Sequence, residues 1–121
     1  MHGACDYTVI HTGKMETGPG SPLDNAISFT IGSNAVLNVH SILTFTIGVK
    51  GGPVDIKITM NELGVASYHL GDGFFCSVNK VIGGGVLQHG ANRMRFNLTA
   101  EDYVYLYLED VAIWWFKNSL D

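Results

Sequence analysis

Apolar and polar residues alternate along most of this chain with a period of two, as they do in a β-strand with one buried face. The clearest run separates its apolar from its polar residues completely, with Val54, Ile56, Ile58 and Met60 on one face and Asp55, Lys57, Thr59 and Asn61 on the other. A turn follows, and we expect Gly64 to supply the positive φ of a hairpin there. This segment predicts a strand with one core face and one solvated face.

Similar runs recur from Ala26 onward, separated by turn residues about every eight to twelve positions, which is typical of a sandwich or barrel. Further strands are predicted within 35–50 (with a break near Ser41) and at 74–82, 93–98, 103–108 and 111–117. An amphipathic helix pattern of useful length is absent from the sequence. The pattern predicts an all-β, antiparallel β-sandwich of about eight strands.

The N-terminal part has a different composition. A short strand is predicted from Tyr7 to His11, followed by a loop over 12–25 in which Pro19 and Pro22 stand among several glycines. The chain of 121 residues is close to the commonest size of one domain. We therefore expect a single domain over 1–121, with its main body at 26–121.

The composition indicates an unusually neutral surface. Apolar residues make up 46% and charged residues 15% of the chain, against about 25% charged residues in typical soluble proteins. A neutral surface favours contact with a partner, so a homo-oligomer is expected. The net charge of −4, with no run of cations, argues against a nucleic-acid ligand.

No apolar stretch approaches the ~20 residues that span a bilayer, so we expect no membrane segment. The first residues lack the basic and apolar regions of a secretory signal. The expected location is therefore the cytoplasm, or the chain is a module of a larger or separately exported protein.

The cysteines and histidines form no recognisable metal motif. Cys5 and Cys76 are expected to be reduced thiols, although a single bridge between them is an open alternative. His40, His69 and His89 lack the spacings of metal-binding motifs. An enzyme, such as a small lyase or isomerase with a site assembled from separate strands, is one hypothesis, and its sign would be a deep pocket lined by one of these histidines together with an acid.

Three segments carry a family resemblance that covers about the C-terminal two thirds of the chain: Met60-Asn61-Glu62-Leu63-Gly64, Val86-Leu87-Gln88-His89-Gly90-Ala91-Asn92 and Glu109-Asp110. They resemble the galactose-binding-domain-like jelly rolls, a fold found in many non-catalytic carbohydrate-binding modules. The resemblance implies a jelly-roll topology, a carbohydrate ligand and a structural calcium ion at Asp110 or Glu109. Glu62 departs from the family pattern, which usually has glycine there.

The residues of the second segment also have a physical role of their own. Gly90 can take a positive φ, and Asn92 can bond to the neighbouring backbone. We therefore expect this segment to form a tight turn before the strand that begins near Arg93.

The C-terminal strands are aromatic on both faces. We expect 103–108 and 111–117 to form a hairpin in which Trp114 lies in the core with Ala112 and Phe116, and Trp115 faces outward. Sugars stack their C–H faces on aromatic rings while polar groups bind the hydroxyls. The candidate carbohydrate-binding residues are Trp115, Tyr105, Arg95, Arg93 and Lys57.

The same aromatic face has a second interpretation, because tyrosine, tryptophan and arginine are also enriched at protein interfaces. Beside the enzyme, the sequence thus leaves two hypotheses open. One is a non-catalytic, lectin-like module that becomes multivalent through self-association. The other is a homo-oligomeric structural or interaction protein without a small ligand.

Overall fold

The computed structural model describes residues 4–17, 26–101 and 104–117. These residues form eight strands and no helix, which confirms the all-β prediction. The strands are β1 (Ala4–Thr17), β2 (Ala26–Ile31), β3 (Ser41–Lys50), β4 (Val54–Met60), β5 (Leu63–Leu70), β6 (Phe75–Ile82), β7 (Gly90–Ala100) and β8 (Tyr105–Lys117).

The strands form two antiparallel four-stranded sheets. The first sheet has the order β1-β8-β3-β6, and the second has the order β2-β7-β4-β5. Sequential strands cross from one sheet to the other except at the β4–β5 hairpin, so the topology is the eight-stranded jelly roll that the resemblance implies.

The core lies between the two sheets. Both contribute fully buried side chains, among them Leu43, Ile47, Leu106, Leu108 and Ile113 from the first and Ile31, Ile56, Met60, Met94 and Phe96 from the second. The alternation in β4 is confirmed, because Val54, Ile56, Ile58 and Met60 are each at most 1% exposed. Burial of this apolar surface is the main favourable term for folding.

The last strand differs from the predicted hairpin. β8 is continuous, and Asp110 bulges out of it with a φ of 51° where its pairing with β3 shifts register. The extra residue exchanges the two faces, so Leu106 and Leu108 point inward before the bulge and Trp115 points inward after it. Trp115 is 6% exposed and Trp114 is 42% exposed, so the predicted orientations of the two tryptophans were wrong.

The first strand is longer than predicted. β1 continues to Thr17, opposite Leu106, so positions 12–17 of the predicted loop are strand. Gly13, with a φ of 80°, lies where the pairing with β8 shifts register. Pairing with β8 thus overrides the turn-like local composition. The rest of the predicted loop, 18–25, and Tyr103 of the predicted 103–108 strand lie outside the described residues.

The β4–β5 turn does not use Gly64. Asn61 and Glu62 take positive φ values of 51° and 71°, while Gly64 lies within β5 opposite Thr59. Two central residues with positive φ are the signature of a type I′ hairpin, which favours Asn followed by Gly. Glu62 therefore adopts a conformation that a side chain disfavours, and the expectation for Gly64 was wrong.

A buried asparagine joins two of the segments that carry the family resemblance. Asn92 is 3% exposed and bonds to the backbone of Gln88 and Gly90, as predicted for this turn, and Gly90 has the expected positive φ of 81°. Its Oδ1 also accepts a hydrogen bond from Asn61 Nδ2 at 2.8 Å. Asn61 in turn accepts a hydrogen bond from the backbone of Arg93.

The two cysteines lie on opposite edges of the first sheet, Cys5 on β1 and Cys76 on β6. Three strand spacings separate these edges, which is about 14 Å and well beyond the ~7 Å that a disulfide tolerates between Cα atoms. A bridge is thus ruled out and both thiols are free. Among the described residues there is no helix with the length and apolar character to cross a membrane.

Candidate functional site

The outer face of the first sheet carries most of the exposed apolar surface of the described residues. Eight of the eleven large hydrophobic side chains that are exposed there point outward from this sheet: Tyr7, Val9, Ile42, Phe75, Val81, Tyr105, Trp114 and Phe116. We call this surface the aromatic face. Such a concentration of exposed apolar groups is typical of interaction sites.

One end of the aromatic face is a row that crosses all four strands. Tyr7, Trp114, Ile42 and Val81 are paired in sequence from β1 to β6. The rings of Tyr7 and Trp114 are 4.8 Å apart between centroids and inclined by 33°, and Trp114 Nε1 donates a hydrogen bond to Thr44 Oγ1 at 3.2 Å. These contacts hold the indole in place while 42% of Trp114 stays exposed.

A polar strip lies beside this row. Thr44 pairs with Asn79, and the next outward pair is Thr46 with Ser77, whose hydroxyl oxygens are 3.3 Å apart. Glu109 of β8 pairs with Thr46 and adds a carboxylate to the strip. Hydroxyl and amide groups can both donate hydrogen bonds to a ligand and accept them from it, and a carboxylate accepts them.

Tyrosines and phenylalanine form the other end. The ring of Tyr107 covers Gly48 so closely that a Cβ there would lie 2.1 Å from Tyr107 Cζ. Phe75 lies 6.0 Å from Tyr107 between ring centroids, and Tyr105 is exposed opposite Lys50. Six residue steps along β3, from Ile42 to Gly48, separate the two ends, a distance of about 20 Å. The aromatic face thus offers two apolar ends with a polar strip between them.

This arrangement suits a ligand with apolar faces and many hydroxyl groups. The exposed rings offer flat surfaces for stacking, and the strip offers hydrogen-bonding groups. Sugars have this combination of surfaces.

The structure does not bring the five predicted binding residues together. Trp115 is buried and donates from Nε1 to Thr8 Oγ1 at 3.2 Å, so the bulge at Asp110 removes it from any outer surface. Tyr105 lies on the aromatic face, whereas Arg93, Arg95 and Lys57 point outward from the second sheet. The prediction that these five residues form a single binding wall was therefore wrong.

The exposure of Trp114 and Tyr7 on this face was not predicted from the sequence. The alternation in β1 does place Tyr7 opposite to the buried Ile10 in parity, but the sequence does not show that this strand pairs with β8 beside Trp114. A correct prediction that Trp114 is exposed would have required the bulge at Asp110 to be foreseen.

The outer face of the second sheet is polar. Arg93, Arg95, Thr59, Glu62 and Asn97 line a hollow of about 260 Å³. An adjoining hollow of about 460 Å³ shares Glu62 and Arg93 and is completed by Ser28, Asn61, Gln88, Ala91 and Asn92. This face has hydrogen-bonding and charged groups and no aromatic ring among these lining residues.

The two acidic residues suggested for calcium have different surroundings. Asp110 Oδ1 accepts a hydrogen bond from the backbone N–H of Gly13 at 3.0 Å, and Glu109 lies in the polar strip. The described residues include no group of three or more His, Cys, Asp or Glu side chains that is arranged for a metal ion. Calcium at Asp110 or Glu109 stays a prediction.

One histidine does lie beside an acid. His69 Nδ1 is 2.5 Å from Asp55 Oδ1, and both line a hollow of about 250 Å³ with Thr99 and Glu101. The side chains of His69 and Asp55 are 72% and 61% exposed, so the pair lies on open surface and not in a deep pocket. Burial raises the pKa of the neighbouring Tyr68, which points into the core side of β5.

Comparison with known proteins supports the fold. No family model matches the sequence, and no curated protein matches it. Among solved structures, the chain resembles dimeric latent PorU from Porphyromonas gingivalis, with a TM-score of 0.69 and 10% identity over 96% of this chain. The chain spans only 13% of the PorU chain.

Two other solved structures with this fold are of carbohydrate-binding proteins. The C-terminal domain of EclA, a sugar-binding protein, has a TM-score of 0.61 at 9% identity, over 85% of this chain and 78% of that one. A family 35 carbohydrate binding module from an environmental isolate has a TM-score of 0.55 at 14% identity, over 86% and 73%. These likenesses support the fold, an eight-stranded jelly-roll β-sandwich.

Proposed function

We propose that this domain is a non-catalytic carbohydrate-binding module that holds a glycan chain on its aromatic face. The observation that carries the proposal is the exposed Trp114–Tyr7 ring pair, fixed by a hydrogen bond to Thr44 and bordered by the polar strip. A sugar ring would stack on Trp114, and its hydroxyls would bond to Asn79, Thr46 and Ser77. The fold shared with two carbohydrate-binding proteins adds support.

The chemistry of the face favours binding over hydrolysis. Glycoside hydrolases commonly place two carboxylates on either side of the scissile bond. In the part of the chain that the structure describes, Glu109 is the only carboxylate of the polar strip, and neighbouring Asp110 is bonded to the backbone of Gly13. One acid at this position can accept hydroxyl hydrogen bonds from a ligand without acting on it.

The experiment is a screen of the whole domain against a broad glycan array, followed by affinity electrophoresis in the polysaccharides that bind. We expect Trp114→Ala to weaken binding on the order of tenfold or more, because it removes the stacking surface. Trp114→Phe keeps a ring and should retain part of the affinity. Urea unfolding of each variant checks that the fold is intact.

Leu63→Ala is the matched control, since Leu63 is 51% exposed but lies in β5 of the other sheet. It should bind as the unaltered domain does. Absence of binding across the array, or equal affinity in folded Trp114→Ala, would contradict the proposal.

Self-association through the same face is a second candidate. The observation that favours it is the aliphatic side of the aromatic face, where Ile42 and Val81 are 40% and 54% exposed and have no polar outward neighbour in their row. A second copy that covered this row would remove it from water. A dimer would also make the module multivalent, which strengthens the binding of repeating ligands.

Multi-angle light scattering over a range of protein concentrations tests this candidate. A dimer that Val81→Asp converts to a monomer would support it, because a carboxylate in the row would be buried without a partner. A strictly monomeric domain at high concentration would exclude it. Glycan binding by the monomeric variant would show that the two uses of the face are separate.

A further inference from the structure

The outer face of the second sheet holds a group of positive charges, on the same face as the carboxylates of Asp55 and Glu62. Both of the chain's arginines, Arg93 and Arg95, point outward there from β7, and Lys57 points outward from the adjacent strand β4. These are three of the seven lysines and arginines in a chain with a net charge of −4. We call this surface, together with Glu62, Thr59 and Asn97, the basic groove.

The arginines are available to a ligand. Alternate residues of a strand lie about 7 Å apart on one face, so the two guanidinium groups emerge side by side. Among the described residues, neither forms a side-chain hydrogen bond or an ion pair, although Glu62 lines the same hollow. The backbone of Arg93 is fixed by two bonds to Asn61, at 2.8 and 2.9 Å.

Lys57 extends toward the same end of the sheet. Its Cε lies 3.6 Å from where a Cβ on Gly64 would be, and Gly64 is the partner of Thr59 in the hairpin. Lys57 therefore passes beside the hairpin strand that carries Gly64. Two arginines and one carboxylate thus line one hollow, and Lys57 lies on the same outer face of the sheet.

Glu62 is held in this groove at a conformational cost. Its φ of 71° favours glycine, and it lines both adjoining hollows together with Arg93. Residues in disfavoured conformations are often retained at binding sites. A carboxylate beside two unpaired arginines can accept hydrogen bonds from ligand hydroxyls while the arginines bind an anion.

We propose that the basic groove is a second binding site, separate from the aromatic face, for an acidic saccharide. Arg95 and Arg93 bind the oxyanion of a uronate or a sulfated sugar, since guanidinium groups pair well with both. Thr59, Asn97 and Glu62 bind its hydroxyls. A nucleic acid fits less well, because the groove offers no aromatic ring for bases and contains a carboxylate.

The test is isothermal titration of the domain with oligogalacturonate, its methyl-esterified neutral form, a sulfated galactan and a single-stranded DNA oligonucleotide. Binding to the oligogalacturonate or the sulfated galactan, weakened by added salt and lost with the neutral ester, is expected. The two anionic glycans show which oxyanion is preferred. Equal binding to the neutral ester, or binding to DNA alone, would overturn the proposal.

Arg95→Gln and Lys80→Gln are matched variants that each remove one positive charge, the second on β6 of the first sheet. Arg95→Gln should weaken binding of the acidic glycan on the order of tenfold, and Lys80→Gln should leave it unchanged. Trp114→Ala should also leave it unchanged, which separates this site from the aromatic face. Equal losses in Arg95→Gln and Lys80→Gln would show a general charge effect and no site.

Discussion

Asp110 accepts a hydrogen bond from the backbone amide of Gly13, with 3.0 Å between Oδ1 and N, where the two neighbouring strands β8 and β1 both depart from regular pairing. Both residues have positive φ, 51° at Asp110 and 80° at Gly13. The bulge decides which of the two adjacent tryptophans faces outward. Which tryptophan belongs to the aromatic face therefore depends on the contact between Asp110 and Gly13, two residues that are not part of that face.

Replacement of Asp110 with alanine should lower the free energy of unfolding by about 1–2 kcal/mol, because it removes the bond to Gly13 and leaves a residue poorly suited to positive φ. Asp110→Asn should cost less, since asparagine keeps an acceptor and tolerates this conformation. Urea unfolding measures both changes. Equal stability of the alanine variant and the unaltered domain would mean that the contact does not hold the bulge.

Glu62→Gly should raise the free energy of unfolding by roughly 1 kcal/mol, since glycine takes the positive φ of this turn without strain. The control is Glu62→Gln, which keeps the backbone strain and should give no comparable gain. Thermal and urea unfolding compare the three proteins. A destabilised glycine variant would show that the Glu62 side chain contributes more to the fold than its conformation costs.

Asn92→Ala should lower the free energy of unfolding by about 2–4 kcal/mol, because it removes four hydrogen bonds and leaves buried donors and acceptors without partners. Gln88→Ala is the comparison, since it removes one exposed side-chain bond to Ala91 and should cost less than ~1 kcal/mol. Chemical denaturation checks the ranking. Similar costs for the two variants would argue against a structural role for the buried asparagine.

Gly48→Ala should destabilise the domain by about 1–3 kcal/mol, because a Cβ at this position collides with the ring of Tyr107. The cost should be much smaller when Tyr107 is alanine as well, since the two changes share one contact. A double-mutant cycle from urea unfolding measures the coupling. Additive costs would show that the ring moves freely away from Gly48.

Local pattern was sufficient to predict the architecture. The alternation from Val54 to Met60 marks a strand buried on one side, and the regular turn signals indicate a sandwich of about eight strands, although β5 was not named and β8 was divided in two. The turn at Gly90 and Asn92 was also predictable, because its bonds join residues that are close in sequence.

The site was less predictable because its geometry depends on distant contacts. The bulge at Asp110 involves a partner 97 residues away in the chain, and alternation counted along β8 without it inverts Trp114 and Trp115. The extension of β1 through Gly13 likewise follows from pairing with β8 and not from its own composition. The division of the five predicted binding residues between two sheets follows from the topology alone.

The two adjacent tryptophans supply the most direct test of glycan binding on the aromatic face. Their indole N–H groups give separate signals in a ¹H–¹⁵N spectrum, one from exposed Trp114 and one from buried Trp115. Titration with the best neutral glycan from the array should move the Trp114 signal progressively and leave the Trp115 signal in place. A glycan that binds without moving the Trp114 signal, and instead shifts the Arg95 and Asn97 amides, would contradict the account.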